Sequence, residues 1–107
     1  MLFRSGLGSA FPSLTTGNLN AAFGLNTLKA VTSGQSNTAI GASACFTLTT
    51  GTNNTALGAA ALQLAVSAGN NVAVGVNALG NFIGTGTTSN VAVGVNSLDG
   101  EIGRAHV

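Results

Sequence analysis

The sequence predicts an all-β fold, a parallel β-solenoid or β-roll of about five 17-residue coils. The phrase Asn-x-Ala-x-Gly recurs five times, and its successive glycines lie 17, 17, 17 and 19 residues apart. Within each copy large and small residues alternate, which is the period of a β-strand. A leucine or cysteine follows each glycine by four positions. A fixed period of this length is typical of stacked coils, each of which buries its apolar side chains against its neighbours.

Four columns of equivalent residues define the predicted stack. The column that begins each strand is Asn20, Asn37, Asn54, Asn71 and Asn90. The column two positions later is Ala22, Ala39, Ala56, Ala73 and Ala92. The strand-exit column is Gly24, Gly41, Gly58, Gly75 and Gly94. The last column is Leu28, Cys45, Leu62, Leu79 and Leu98. These twenty positions are the structural repeat residues of the chain.

Each column has a physical interpretation. In-register asparagines are expected to form a ladder in which side-chain amides hydrogen-bond along the stack. The small alanine column indicates a close approach, either by the opposite wall of a flat coil or by a neighbouring subunit. The glycines are expected where the backbone bends at the end of each strand. The leucine and cysteine column is expected to be a buried apolar anchor, with Cys45 acting as a small hydrophobe.

The apolar face of the predicted strands alternates with the asparagine and alanine face. It carries the pairs Thr38/Ile40, Thr55/Leu57, Val72/Val74 and Val91/Val93. We expect this face to fill the core, so that Val74→Asp would unfold the array through an unpaired buried charge.

The segments between the strands predict corners. Thr49–Asn53 and Ser67–Asn70 are rich in threonine, serine, glycine and asparagine, and glycine and asparagine tolerate the positive φ of tight turns. Gly58–Val66 is rich in alanine and leucine, but this composition does not recur in the other repeats, so no helix is predicted. The coil before Asn90 carries two extra residues, which predict a loop on one face. Phe82 and Ile83 in that loop are either an exposed contact patch or, in the favoured interpretation, a tucked anchor.

The two ends differ from the array. Residues 1–5 and 101–107 can be back-translated to complementary strings that resemble a short-read sequencing adapter, so we expect them to be foreign sequence. The alternative is that they are ordinary charged termini. Residues 6–13 are expected to be a linker or a partial coil, and residues 14–100 the β-roll array. Foreign ends would make this chain an internal fragment of a longer protein.

Composition excludes several classes of function. Between the two ends, Lys29 and Asp99 are the only formal charges, which leaves no basic patch for nucleic acid. No apolar run approaches the roughly 20 residues that span a bilayer, so no direct membrane insertion is expected. The array has no histidine or glutamate, and neither an acid–base pair nor a zinc or calcium ligand set can be assembled. We expect no catalytic, cofactor-binding or metal-binding residues and no enzyme activity.

The repeats resemble two related families. The phrases Asn37–Gly41, Gly51–Gly58 and Gly69–Leu79 are similar to the head repeats of trimeric autotransporter adhesins and to the repeats of phage and viral tail-fibre-like proteins. The resemblance covers about residues 14–98, and its specificity comes from five registered copies. It implies a left-handed β-roll that assembles as a homotrimer in a fibre. The expected role is a structural or adhesive segment on a virion tail or bacterial cell surface, with a host receptor or glycan as possible partner.

A second function class remains open. Flat solenoid faces with regularly spaced threonines can order water, so the alternative is a secreted ice-binding protein or another monomeric β-solenoid binding protein. Thr38 and Thr55 align, but Ala21, Val72 and Val91 share their column. We interpret this column as core filling, which favours the fibrous role.

Overall fold

The computed structural model of this chain describes residues 2–4, 13, 15–83 and 85–99. Within these residues every regular element is a strand, which confirms the all-β prediction. The strands are β1 (Leu2–Arg4), β2 (Asn20–Phe23), β3 (Thr38–Ile40), β4 (Thr55–Leu57), β5 (Ser67–Gly69), β6 (Val72–Val74), β7 (Thr85–Thr87) and β8 (Val91–Val93). The five strands that the repeat predicts are β2, β3, β4, β6 and β8. Each begins at the asparagine of its repeat or one residue after it.

The main sheet is parallel and follows the repeat. Its six strands have the order β1-β2-β3-β4-β6-β8, and the register pairs Ala22 with Ala39, Ala39 with Ala56, and Ala73 with Ala92. Each coil therefore adds one strand directly above the last. The five sequence motifs enclose four complete turns between Asn20 and Asn90, and the predicted parallel β-solenoid is confirmed.

The first strand lies in a segment that was expected to be foreign. Leu2 pairs with Asn20 and Arg4 with Ala22, so the backbone of β1 extends the sheet by one strand. The adapter origin of residues 1–5 stays a prediction. Of the expected linker at 6–13, Ser13 alone is described, and residues 101–107 lie outside the described part of the chain.

Positive φ angles at fixed positions bend each coil. The strand-exit glycines have φ between +126° and +134°, as the predicted bend requires. The anchor column also lies in the left-handed region, with φ of +49° at Leu28 and +51° at Cys45. Left-handed leucine is uncommon and costs about 1 kcal/mol or more. The backbone bond from Leu28 N–H to Ala44 O, at 3.1 Å, shows that this bend keeps the chain paired with the next coil.

The alanine-rich segment 58–66 is not helical, as predicted. Ala60 and Leu62 have φ of +60° and +52°, and a right-handed helix cannot contain them. Asn53 and Asn70 have φ of +59° and +62°, which confirms the predicted use of asparagine at tight turns. The rest of the second predicted corner is wrong, because Ser67–Gly69 forms strand β5.

The strand-exit glycines allow a matched test of coil stacking. A Cβ on Gly58 would lie 2.6 Å from the backbone carbonyl of Gly75, whereas a Cβ on Gly94 would meet nothing closer than Ser97 Cβ at 3.8 Å. The two glycines have similar φ, so both alanine variants carry the same backbone strain of about 1–3 kcal/mol. We expect Gly58→Ala to lower the free energy of unfolding by clearly more than Gly94→Ala in urea titrations. Equal losses would mean that the coils do not press together at Gly58.

The inward face of the sheet is the opposite of the one expected. The alanine column is buried: Ala22, Ala39, Ala56, Ala73 and Ala92. Ile40 and Val93 are exposed, and Val74 is only half-buried. The prediction that the valine, leucine and isoleucine column fills the core is therefore wrong, and this removes the reason to expect that Val74→Asp unfolds the array. The two walls of the coil lie so close together that side-chain size, not hydrophobicity, decides which face points inward.

Two further columns of mostly large side chains from the rest of the coil are buried in the interior. The expected anchors are buried, which confirms their role: Leu28, Cys45, Leu62, Leu79 and Leu98. A second buried column was not predicted and lies three residues after each of the first four anchors: Val31, Leu48, Ala65 and Phe82. These four positions are equally spaced but hold four different residue types, so the recurring motif does not reveal this column. The close wall opposite the alanines, rather than a neighbouring subunit, explains their small size.

The inserted loop divides its two large residues. Phe82 is 1% exposed and enters the interior, whereas Ile83 is 64% exposed. The tucked-anchor interpretation thus applies to Phe82 alone. The extra residues lead into β7, which pairs with β5 through Ser67 and Thr85 to form a second, two-stranded sheet.

Candidate functional site

The asparagine ladder is the main polar feature of the interior. The Nδ2 of Asn37 donates to Asn20 Oδ1 at 3.1 Å, and that of Asn54 donates to Asn37 Oδ1 at 3.0 Å. The backbone N–H of each asparagine reaches the same oxygen, at 3.0 Å from both Asn37 and Asn54. The pattern continues through Asn71 to Asn90. The predicted ladder is confirmed, and the amide oxygens of the first four ladder asparagines each accept two hydrogen bonds from the next asparagine of the ladder.

The same amides also bridge the coil from wall to wall. The Nδ2 of Asn20 donates to Gly34 O at 2.7 Å, that of Asn37 to Gly51 O at 2.8 Å, and that of Asn54 to Ala68 O at 2.8 Å. Because these asparagines are fully buried, their polar atoms need partners inside the protein. The ladder thereby fixes the register of the stack.

The outer sheet face is an apolar surface that extends over five strands of the main sheet. We define it by the two columns that flank the buried alanines: Ala21, Thr38, Thr55, Val72 and Val91, with Phe23, Ile40, Leu57, Val74 and Val93. Phe23 is 58% exposed, and Ile40, Val91 and Val93 are also exposed. Neither column contains a charged residue. An apolar face of this kind marks an interaction surface in soluble proteins.

A further apolar column continues beyond the strand-exit glycines. Its members follow each glycine directly: Leu25, Ala42, Ala59, Val76 and Val95. All five are exposed. They extend the uncharged surface past the end of the strands, so the apolar region is wider than the sheet itself.

A hydroxyl row lies along one corner of the solenoid. The Oγ1 of Thr15 donates to Thr32 O at 3.2 Å, and the Oγ1 of Thr49 donates to Val66 O at 3.1 Å. The next column, Thr16, Ser33 and Thr50, is exposed. Hydroxyl and amide groups at this spacing offer donors and acceptors to a polar ligand, but the row carries no charge.

Cys45 lies in the apolar interior of the coil. Its side chain is fully buried and unpaired with another cysteine. Burial raises the pKa of the Cys45 thiol from 9.0 to about 12, because an apolar interior disfavours the thiolate. The thiolate is the reactive form, so the predicted structural role of this residue is consistent with its environment.

The raised pKa of Cys45 predicts a loss of stability in alkali. The thiol favours the folded state fully below pH 9, and this contribution is lost as pH rises from 9 to about 12. In that window the unfolded chain ionises its thiol while the folded chain does not, which costs at most about 1.4 kcal/mol per pH unit. Urea midpoints measured from pH 8 to 11 are expected to fall for this chain. Cys45→Leu, which matches the rest of its column, should lack this slope; an equal slope would assign the effect to another group.

Charged and metal-binding groups are sparse in the described residues. Lys29 is exposed, with its Nζ 5.5 Å from the centre of the Phe46 ring. Asp99 accepts a hydrogen bond from Asn81 N–H at 2.8 Å. Across the described ranges, no three histidine, cysteine, aspartate or glutamate side chains form a group that could hold a metal ion. The same residues contain no helix of the length and hydropathy needed to cross a membrane.

The comparisons with known proteins find no matching family model, no matching curated protein and no matching solved structure.

Proposed function

We propose that this chain is a structural or adhesive repeat segment of a fibrous surface or virion protein, such as a tail fibre or an adhesin head, and that it assembles as a homotrimer. The outer sheet face carries this proposal. Its two columns run in register over five strands and expose Phe23, Ile40, Val91 and Val93, and an unpartnered face of this kind gains stability when a second copy covers it.

The rest of the coil fits a spacer or head better than a pocket-based function. The interior is filled by small and branched side chains and by the asparagine ladder. Ligand binding would then be distributed over repeated exposed positions, such as the hydroxyl row, rather than concentrated in one cleft. A host-surface receptor or glycan is the proposed class of ligand, because the row supplies hydrogen-bonding groups without charge.

The oligomeric state tests this proposal. Sedimentation equilibrium of the full chain is expected to give three times the monomer mass for its smallest species. Ile40→Glu places a charge on the outer sheet face, where it is exposed in one copy but would be buried between copies. We expect this variant to keep the circular dichroism of the parent and to sediment as a monomer. Thr50→Glu, on an exposed corner, is the control and should remain trimeric. A parent chain that is monomeric at high concentration would refute the trimer.

Ice binding is a second candidate that one observation favours. Thr38 and Thr55 lie on the outward face, so the interpretation of their column as core filling no longer holds. An uncharged, regularly spaced face is compatible with ordered water. Thermal hysteresis of the full chain tests this candidate, and a chain that leaves ice growth unchanged while forming trimers leaves only the fibrous role.

A further inference from the structure

The last coil in the described part of the chain carries two buried polar atoms without partners. They are the Oδ1 of Asn90 and the Oγ of Ser97. Leaving such an atom unpaired costs about 1–3 kcal/mol, and both lie in the coil of β8, which is at the edge of the main sheet.

Earlier coils show what each of these atoms bonds when another coil follows. The Oδ1 of Asn54 accepts from the N–H and Nδ2 of Asn71, the ladder residue of the following coil. Ser97 is equivalent to Thr27, whose Oγ1 donates to Gly41 O of the following coil at 2.9 Å. Both unpartnered atoms therefore lie where another coil with an asparagine and a strand-exit glycine would satisfy them.

The backbone at this end has the matching shape. Inner N–H groups point to the following coil, as from Val72 to Asn90 O at 2.9 Å and from Leu79 to Ser97 O at 2.9 Å. The equivalent groups here belong to Val91 and Leu98, at the sheet edge. Gly94 is the one strand-exit glycine of the described chain where the space that a following glycine backbone would occupy is open.

The opposite end of the stack offers the complement. The Nδ2 of Asn20 makes one hydrogen bond, to Gly34 O, whereas the Nδ2 of Asn37 makes two. Lys29 and Asp99 each lie nine residues after the ladder asparagine of their coil. If the coil of Asn20 stacked on that of Asn90 at the usual strand spacing of about 4.8 Å, these opposite charges would be adjacent.

We propose that the β8 edge is a docking site for a second copy of this chain, which stacks head to tail with its Asn20 coil on the Asn90 coil. The Asn20 N–H and Nδ2 would donate to Asn90 Oδ1, and Gly24 O would accept from Ser97 Oγ. β1 covers the Asn20 coil within one copy, with Leu2 at the position opposite Asn20. Docking therefore replaces β1 by β8 of the neighbouring copy. The position opposite Asn20 then holds Asn90, which has a side-chain acceptor, in place of Leu2, which has none.

This contact is distinct from the trimer interface and differs in its symmetry. A trimer that buries the outer sheet face is closed and stops at three copies. Head-to-tail stacking joins two different surfaces, so it continues into a linear filament. The two assemblies can therefore succeed or fail independently.

The test compares two variants of one edge residue in the full chain. Val91→Pro removes an N–H at the sheet edge, a position where proline is tolerated, and blocks the docked strand. Val91→Thr keeps the N–H and changes the outward side chain. Light scattering is expected to show an average mass that rises with concentration, as filaments lengthen, for the parent and for Val91→Thr. The association constant of Val91→Pro is expected to be at least about tenfold lower. Equal association of the two variants overturns the proposal.

Hydrogen exchange and charge reversal locate the contact. As the parent chain associates, exchange at the Val91 and Leu98 amides is expected to slow, and unchanged exchange there overturns the proposal. At low salt, Lys29→Asp and Asp99→Lys should each associate up to about fivefold more weakly than the parent. Their equimolar mixture should recover, because the lysine introduced in one variant then stacks beside the aspartate introduced in the other; no recovery overturns the head-to-tail arrangement. A trimer that forms without filament growth refutes this proposal and leaves the proposed function intact.

Discussion

Ala73→Asp is expected to abolish the folded solenoid, whereas Val74→Asp, one residue later, is expected to leave it folded. Ala73 is fully buried between the two walls of the coil, in an interior filled by apolar side chains and by the asparagine ladder. Burying an unpaired charge there costs at least about 3–5 kcal/mol, and the larger side chain also overfills the interior. Val74 is half-buried on the outer sheet face, so a carboxylate introduced there keeps access to water and should cost about 1 kcal/mol.

Thermal melting followed by circular dichroism checks this pair of variants. Ala73→Asp should show no cooperative transition, and Val74→Asp should melt within a few degrees of the parent. In a sedimentation experiment Val74→Asp is also expected to lose mass, because it places a charge on the proposed trimer face. If Val74→Asp also shows no cooperative transition, the alanine column does not define the interior.

Asn54→Leu is expected to lower the free energy of unfolding by about 3–5 kcal/mol. The substitution keeps the shape of the side chain but removes four hydrogen bonds, two donated by Nδ2 to Asn37 Oδ1 and Ala68 O and two accepted by Oδ1 from Asn71. Several buried partners are left unsatisfied, and each costs about 1–3 kcal/mol. Because the ladder is a chain of shared oxygens, the loss in one coil also weakens the coils above and below it.

Its neighbour Asn53 provides the matched control for urea denaturation. Asn53 is exposed and makes one side-chain hydrogen bond, from its Nδ2 to Asn70 Oδ1 at 3.1 Å. Asn53→Asp keeps a residue that tolerates positive φ and should change the free energy of unfolding by less than about 1 kcal/mol. If Asn53→Asp and Asn54→Leu are equally destabilising, the buried ladder contributes no more than an exposed corner.

The strands and the ladder could be predicted because identical residues recur at a fixed distance. When Asn37, Asn54 and Asn71 occupy the same place in successive 17-residue units, a parallel stack brings their amides together whatever the details of the coil. The strand-exit glycines and the buried Leu62 column follow from the same register. Repetition thus determined the stacking direction, the strand positions and the absence of helix in segment 58–66.

The direction in which each strand faces could not be derived from this pattern. Both faces of the segment Thr55–Leu57 are compatible with burial, and hydrophobicity alone favours the wrong one. The deciding quantity is the distance between the walls of the coil, which depends on left-handed φ angles at Leu62 and its equivalents. Leucine rarely adopts that conformation, so no local propensity indicates it.

The outer sheet face could be identified only once it was known which side of each strand points inward. Once alanine is placed inside, the sequence itself shows that Phe23, Ile40 and Val93 form an outward column. The unpartnered atoms of Asn90 and Ser97, by contrast, are visible only when the hydrogen bonds of all coils are compared. Their sequence signal is merely that they belong to the last copy of the motif.

The hydrogen bonds between side chains of the ladder join residues 17 or 19 positions apart. A duplication of 17 codons would therefore insert one more coil in which every ladder asparagine, inward alanine and strand-exit glycine still meets a residue of its own kind. The longer coil before Asn90 shows that an unequal length is absorbed in the loop that leads to β7, outside the ladder. Genes for such proteins can consequently alter the reach of the molecule in whole coils while its interior is inherited intact.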